Sequence, residues 1–370
     1  KINGALRGFG GFKRKGNIGG SNLHTVGKIG IVHIKISAPC QCQYRPLTGV
    51  GAKGRGCHRF SQLGHGSIQN GTGIVSRRFH SSGRHSDFGA GGGRNDVQRV
   101  FRTIAAITPD YQGNATAAQY YLIRSEEHLT ESPKEMDNWV AAIELADSLG
   151  VDILSSSLGY AMFDDARHTL SYADMNGKTT RCSRAAAIAA EKGMLVVVAA
   201  GNDGNKAWHY ISAPGDADNI LTVGAVNVHD SIAAFSSWGP TADGRVKPEV
   251  CATGSQTAVI NPINNQVVYG NGTSFACPII AGMAACLWSA LPYASNMEIR
   301  QRIIQSADRY DQPHDQYGYG IPNAWQAYNH TTDIPSIPSS HTPTAQKVLI
   351  NDQLWILHNG TKYNVMGNKQ

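Results

Sequence analysis

The chain has 370 residues, 41% of them hydrophobic, which is enough to bury one large core or two smaller ones. Its seven cysteines are odd in number and irregularly spaced, so they indicate no disulfide framework, and we predict no membrane span because no apolar run has the required length. The net charge of +6 is uneven: residues 1–95 carry 15 Lys or Arg and the single acid Asp87, whereas the rest of the chain carries 18 basic and 26 acidic residues.

Residues 1–102 form an anomalous segment that is rich in Gly, Arg and His and lacks a sustained hydrophobic period. Its one plausible strand is "VGKIGIVHIKIS" at 26–37, and we expect the remainder to be disordered. The basic residues form no helical face and are little interleaved with aromatic residues, so we predict no nucleic-acid partner. "CQC" at 40–42 and "CH" at 57–58 fit no standard zinc spacing, so we predict no metal site.

From residue 103 to residue 328 predicted helices and strands alternate. The helices end at Gly150 and Gly193, which are typical residues to follow a helix. The alternation predicts an α/β fold with a mostly parallel sheet and helices on both faces. The predicted segments are the helices "DNWVAAIELADSLG" and "CSRAAAIAAEKG" and the strands "VDILSSS", "MLVVVAA" and "NILTVGAV".

A serine precedes the longest apolar run of this region. "PIIAGMAACLWSAL" at 278–291 predicts a buried helix with Pro278 in its first turn. Ser274 would then lie at the helix N-terminus, where free N–H groups and the helix dipole favour developing negative charge. Gly272 would let the backbone bend tightly just before it. A serine becomes a nucleophile only when a base takes its proton and donors face the oxyanion, so the pattern alone favours a simple N-cap serine.

Two further segments end predicted strands at the edge where open α/β sheets bind ligands. Asn202 follows "MLVVVAA" and is a candidate oxyanion donor, although an Asn before Asp-Gly is also ordinary turn chemistry. "SSSLG" at 155–159 ends with Gly159, which leaves a backbone edge to which an extended peptide can pair.

Together, these pieces resemble the subtilisin family of serine endopeptidases. "NGTSFACPIIAG" is similar to the family's nucleophile block and departs from it at Cys277, where Ser is more usual. "VVVAAGN" resembles the block with the oxyanion Asn, "AAFSSWGPTADGRVKPEVCATG" the segment between the two, and "YGYGIPNAWQAY" the closing helix. The blocks occur in family order from 103 to 328.

The resemblance implies a three-layer α/β fold and a serine endopeptidase that hydrolyses peptide bonds in proteins through an acyl-enzyme. Ser274 would be the nucleophile and Asn202 the side-chain oxyanion donor. The substrate would be a protein or peptide, and no cofactor is expected, although calcium is possible by resemblance and cannot be read from these residues. The implied substrate-binding residues are Ser157, Leu158 and Gly159, along the substrate strand, and Ala200 and Gly201, in the S1 wall.

The Asp and His of the family's catalytic triad are missing from their expected places. In family order both precede the nucleophile, and "TIAA" at 103–106 places the His near Gly93 or Arg94. The strand at 26–37 contains no Asp, and His65 in "GHGS" lies about thirty residues too early. The alternative function is therefore an inactive subtilisin-like scaffold that binds peptides or a protein partner.

A frame error offers an account of the anomalous segment. "RNDVQRVF" at 94–101, back-translated and read one base later, gives Gly-Met-Met-Cys-Asn-Val-Phe-Ser, which resembles the family sequence after the catalytic His. Our hypothesis is that much of residues 1–102 is an out-of-frame translation. Sequencing the gene decides it, because an uninterrupted frame without compensating insertions or deletions over these codons removes the hypothesis.

The composition changes again after the predicted peptidase domain at 103–328. Residues 329–346 are rich in Pro, Ser and Thr and predict a linker. Residues 347–370 alternate apolar and polar residues and predict a small β unit with a hairpin turn at the Asn-Gly of 359–360. This tail resembles the sorting tails of bacterial proteins exported by a type IX secretion system. It predicts a secreted or cell-surface location and contact with secretion machinery.

Overall fold

The fold is described from a computed structural model. It covers residues 101–127 and 130–329 in full, together with the backbone of 31–35, 76–79, 345–350, 353–358 and 361–364. The rest of residues 1–100, for which we expect disorder, lies outside the described residues. The predicted linker at 329–346 also lies outside them, apart from the end of a helix at Asn329 and the start of a strand at Ala345.

A seven-stranded sheet forms the centre of the fold, in the order β2-β5-β1-β6-β7-β8-β9. The three pairings from β6 to β9 are parallel, which confirms the predicted parallel core. The pairings β2–β5, β5–β1 and β1–β6 are antiparallel, and each includes β1 or β2. The strands are β1 (Ile31–Lys35), β2 (Ser76–Phe79), β5 (Gln119–Ile123), β6 (Ile153–Ser156), β7 (Leu195–Ala199), β8 (Leu221–Val226) and β9 (Val250–Thr253).

Three smaller sheets are also described. Two are hairpins, and the third is a three-stranded antiparallel unit near the C-terminus whose last two strands pair His358 with Thr361. That register places the strand ends on either side of 359–360, where the sequence predicts the hairpin turn. The strands are β3 (Ile107–Thr108), β4 (Tyr111–Gln112), β10 (Thr257–Ile260), β11 (Val267–Gly270), β12 (Ala345–Ile350), β13 (Gln353–His358) and β14 (Thr361–Asn364).

Helices cover both faces of the sheet. Gly150 and Gly193, with φ of 67° and 102°, follow the first two helices and confirm their predicted ends. The first helix begins earlier than its hydrophobic period indicates, because its first turn is polar. The helices are α1 (Pro133–Ser148), α2 (Arg181–Glu191), α3 (Thr273–Ala290), α4 (Asn296–Gln305) and α5 (Ala324–Asn329), and residues 101–105 are also helical.

Alternate residues of the central strands point to opposite helical layers. Val197 and Val223 pack in one buried cluster with α3, whereas Val196 and Val198 pack in a second cluster with α1 and α2. Each of these side chains is fully buried, and such burial contributes about 1.5–3 kcal/mol per aliphatic side chain. The three-layer α/β architecture expected from the sequence is thereby confirmed.

Helix α3 crosses the inside of the molecule beneath β6–β9. By length and hydropathy alone it is the one helix among the described residues that meets the minimum for a membrane span, contrary to the sequence expectation that no segment does. This is weak evidence for a span, because 61% of α3 is buried against the rest of the fold and the core helix of a globular domain meets the same criterion.

The start of α3 corrects one prediction. The helix begins at Thr273, so Pro278 lies in its second turn rather than its first. The turn before the helix is made by Gly272, whose φ of 147° is a conformation that other residues rarely adopt. Five residues of the nucleophile block therefore enter the helix before the proline.

Candidate active site

Ser274 is the second residue of α3 and is half-buried between buried neighbours. The N-cap position belongs to Gly272, so Ser274 is not the capping residue that the bare pattern favours. No side chain within 101–127 or 130–329 hydrogen-bonds its hydroxyl. Its position in the first turn of the helix leaves its N–H without a partner within the helix ladder.

The carbonyl of Ser274 is hydrogen-bonded to the predicted substrate segment instead of to the helix. In a regular helix the carbonyl of Ser274 would accept from the N–H of residue 278, but Pro278 has none. The hydroxyl of Ser157 donates to that carbonyl instead, with an Oγ–O distance of 3.0 Å. The nucleophile position is thus tied directly to the end of β6.

Asn202 lies beside the start of α3, just after β7. Its Oδ1 accepts from the N–H of Thr273 at 2.9 Å and from the Thr273 hydroxyl at 3.1 Å. The backbone N–H orients the side-chain amide, and the single hydroxyl proton of Thr273 is shared between Asn202 Oδ1 and the Gly201 carbonyl, 3.2 Å from the hydroxyl oxygen. With Oδ1 facing Thr273, the Nδ2 hydrogens face away from it. The Asn202 side chain is exposed. Within the part of the chain that the structure describes, no hydrogen bond occupies Nδ2, which is what the predicted role as oxyanion donor requires.

The two predicted substrate-binding segments are linked by residues 212–213, which form an isolated β-bridge with Tyr160. Gly159 and Tyr160 follow β6, and Tyr160 exchanges two backbone hydrogen bonds with Ala213, at 2.7 and 3.1 Å. The N–H of Ser212 donates to the carbonyl of Ala200 at 3.3 Å. Residues 212–213 therefore link the end of the predicted substrate strand to Ala200 of the predicted S1 wall.

Gly159 of the predicted substrate strand and Gly201 of the predicted S1 wall both lie close to serine side chains. A Cβ on Gly159 would lie 3.0 Å from the Cβ of Ser212, and one on Gly201 would lie 2.8 Å from the Oγ of Ser237. Gly201 also has a φ of 114°, which favours glycine. Ser212 and Ser237 were not among the sequence candidates, since a serine in a loop carries no local signal of proximity to a distant strand end.

The predicted substrate-binding residues differ in exposure: Ala200 is fully buried, Ser157 and Leu158 are half-buried, and Gly159 is exposed. The structure brings Ser274, Asn202 and the 157–159 segment together through Ser157 and Thr273. Their catalytic and binding roles stay predictions.

Cys277 packs beneath the site. Its Sγ lies 3.6 Å from the Oγ of Ser155 and contacts the carbonyls of Ser156 and Val197 at 3.6 and 3.5 Å. Full burial raises the pKa of this thiol to about 12, so it is protonated at neutral pH and lacks the thiolate that a nucleophile needs. The departure from the family block is therefore a packing feature.

Three carboxylates meet near Tyr160, and we call Glu126, Glu131 and Glu135 the acidic cluster. Their oxygens lie within 4.8 Å of one another. Calcium takes about six to eight oxygens, and here protein donors already engage the cluster: Tyr160 donates to Glu126 Oε1 at 2.7 Å and the N–H of Glu127 to Glu135 Oε1 at 2.9 Å. The cluster does not fit a calcium site.

The described residues place no general base at Ser274. None of the histidines in 101–127 and 130–329 hydrogen-bonds its hydroxyl; they are His168, His209, His229 and His314. The sequence candidate His65 and the expected positions Gly93 and Arg94 lie outside the described residues.

The model of the Subtilase family matches residues 62–320, a region that begins inside the anomalous segment. The thermophilic serine proteinase of Bacillus sp. (strain AK1) is 34% identical over 187 residues, which are 50% of this chain and 40% of that protein. Serine protease AprX of Bacillus subtilis (strain 168) is 32% identical over 195 residues, 47% of this chain and 42% of that protein. The chain therefore spans less than half the length of these two relatives.

Among solved structures, the prenylagaramide maturation protease PagA aligns with 64% of this chain and 82% of its own, at 23% identity and a TM-score of 0.49. The family match, by contrast, covers well over half of the chain. On that match, the protein belongs to the subtilase family.

Proposed function

We propose that the chain is a subtilisin-type serine endopeptidase with Ser274 as nucleophile. Membership of the subtilase family supports serine peptidase activity in general. The observation that supports the finer proposal is the contact of Thr273 with Asn202 Oδ1, because it holds the Asn202 side chain against the residue that precedes Ser274 and leaves Nδ2 facing away from Thr273. A protein or peptide substrate would lie extended along residues 157–159, with Ala200 and Gly201 beside its P1 residue.

The reaction follows from this arrangement. Ser274 Oγ forms a bond to the substrate carbonyl carbon as its proton passes to a base outside the described residues. Asn202 Nδ2 and the Ser274 N–H donate to the resulting oxyanion. Collapse breaks the C–N bond, and the amine leaves with the proton. Water then repeats the attack on the acyl-enzyme, releases the acid and restores the Ser274 hydroxyl.

The oxyanion donors carry a known share of catalysis in this family. Loss of one such donor costs roughly 10²–10³-fold in turnover, a magnitude carried over from a subtilisin rather than worked out from this structure. Loss of a triad member leaves roughly 10³–10⁴-fold over water, again partly from subtilisin. A chain that lacks the base therefore loses most of its rate even with the proposed oxyanion donors in place, so reaction at Ser274 reports whether a base is present.

A fluorophosphonate probe tests the proposal. Labelling of the intact chain, its loss in Ser274→Ala and its persistence in Ser289→Ala, a control at the far end of the same helix, are the expected results. Absence of labelling in well-folded protein contradicts it.

A second candidate function is a non-catalytic scaffold that binds peptides along 157–159. It is favoured by one observation, the absence of any histidine hydrogen-bonded to Ser274 Oγ within the described residues. In that case a fluorescent peptide binds to protein that the fluorophosphonate does not label. A Gly159→Val substitution, which would place a side chain against Ser212, abolishes this binding. Binding that survives this substitution contradicts the scaffold.

We also propose that the protein is exported by a bacterium and contacts secretion machinery through its C-terminal tail. The support is the resemblance of the tail to sorting tails and the β12–β14 unit at that end of the chain. The division into a peptidase domain at 103–328, a linker at 329–346 and a tail at 347–370 belongs to the same proposal.

A further inference from the structure

One buried serine contacts the backbone on both sides of Asn202. The N–H of Ser237 donates to the carbonyl of Gly201 at 3.0 Å, and its Oγ accepts from the N–H of Asp203 at 3.0 Å. Ser237 is fully buried. The residues immediately before and after Asn202 are thus held by a single residue from the loop that precedes β9.

The fit of this contact explains the glycine beside Asn202. A Cβ on Gly201 would lie 2.8 Å from Ser237 Oγ, which is closer than such atoms approach, so the Ser237 hydroxyl occupies the space that a side chain would need. A third bond, from the N–H of Gly204 to the carbonyl of Phe235 at 2.9 Å, continues the same pairing. Within this pairing the Ser237 hydroxyl is the side-chain acceptor for the N–H of Asp203, while the indole N–H of Trp238 donates to the carbonyl of Gly204 at 3.3 Å.

Thr273 holds Asn202 from the opposite side, through Oδ1. The Thr273 Oγ also accepts from the N–H of Gly201 at 3.2 Å, so the residue before Asn202 is held by both Thr273 and Ser237, whereas the N–H of the residue after it, Asp203, bonds to the Ser237 hydroxyl. On the basis of the function proposed above, we propose that Ser237 is a positioning residue for the oxyanion donor Asn202. It touches neither substrate nor reacting atoms and acts through the backbone of residues 201–203.

Its effect falls on the transition state. Without the Ser237 hydroxyl, the N–H of Asp203 loses its acceptor and the Asn202 amide is less well aimed at the position where negative charge develops. Interactions made only in the transition state change kcat rather than KM. For Ser237→Ala we expect kcat, or the rate constant for fluorophosphonate labelling, to fall by about tenfold, the upper range for one neutral hydrogen bond.

The neighbouring serine is a matched control. Ser236 is also buried, and its Oγ accepts from the N–H of Ala225, on β8, at 2.9 Å. Ser236→Ala therefore removes the same kind of hydrogen bond one residue away without touching 201–203. It should lower the melting temperature by a similar amount and leave the labelling rate constant within twofold of the unmutated chain.

The experiment combines hydrogen exchange with a double-mutant cycle on the full chain. We expect faster exchange of the Asp203 N–H in Ser237→Ala than in the unmutated chain or Ser236→Ala. In an Asn202→Ala background, we expect Ser237→Ala to change labelling by less than twofold, because the group it positions is gone.

The proposal is overturned if Ser237→Ala leaves hydrogen exchange at the Asp203 N–H unchanged, or if Ser236→Ala lowers the labelling rate constant as much as Ser237→Ala does. It is also overturned if Ser237→Ala still lowers that rate constant tenfold in the Asn202→Ala background. If the unmutated chain does not label at all, the proposed function fails, and the exchange comparison still decides whether Ser237 holds the Asn202 loop.

Discussion

Glu135 offers the sharpest test of the electrostatics beside the substrate segment. It is fully buried in the first turn of α1, where its Oε1 accepts from the N–H of Glu127 at 2.9 Å and its Oε2 from the N–H of Ser132 at 3.4 Å. Burial, and next the negative charge of Glu126, raise the pKa of Glu135 to about 7 from an ordinary 4.5. This carboxyl therefore keeps its proton to a higher pH than an ordinary glutamic acid.

The direction of the pH dependence follows from proton binding. Between pH 4.5 and about 7 the folded state holds a proton on Glu135 that the unfolded chain has released, so the free energy of unfolding falls as pH rises through that interval. Across the full interval the free energy of unfolding falls by at most about 3 kcal/mol. This maximum applies to the acidic cluster as a whole, because its carboxyls titrate together. In a domain of this size that corresponds to a melting temperature lower by roughly 6–12 °C at pH 8 than at pH 5.

The substitution Glu135→Gln removes the titration and keeps a residue that also completes a capping box. We expect the stability of the variant to vary less between pH 5 and 8 than that of the unmutated chain, with the gain greatest at pH 8. The measurement is thermal or urea unfolding across this range, which needs no catalytic activity.

The matched control is Glu298→Gln in α4. Glu298 is exposed and forms the same capping arrangement with Ser295, whose N–H donates to Glu298 Oε2 at 2.6 Å and whose Oγ accepts from the N–H of Glu298 at 3.2 Å. The control should leave the pH profile unchanged. Parallel pH profiles for Glu135→Gln and the unmutated chain would refute the reasoning.

Two more expectations concern cysteine chemistry and location. Cys182, Cys251 and Cys277 are buried with pKa values raised to about 12, so they should react with a thiol reagent at pH 8 only after denaturation; fast reaction of any of the three in folded protein contradicts this. Fractionation of the source cells should recover the chain in the medium or at the cell surface, and recovery only from the cytoplasm argues against export.

The fold was predictable where local patterns decide it. The buried runs of β7 and β8 and the glycines that end α1 and α2 are readable without tertiary information. Glu135 was not readable, because the first turn of α1 is a polar sequence and the burial of that turn depends on residues from other elements. Ser237 lay inside a motif that resembles the family, but its contact with residues on both sides of Asn202 depends on two loops meeting.

The candidate site has two parts, the proposed oxyanion donors and the proton acceptor for Ser274, and they lie in different parts of the chain. The proposed oxyanion side is built from the end of β7, the first turn of α3 and residues 235–237, and hydrogen bonds from backbone N–H groups of 2.9–3.0 Å hold it together. None of these contacts involves the first hundred residues. The proposed oxyanion geometry therefore does not distinguish an active peptidase from a peptide-binding scaffold. The two differ in the proton acceptor for Ser274, which family order places before residue 105, in the part of the chain whose composition departs from the rest.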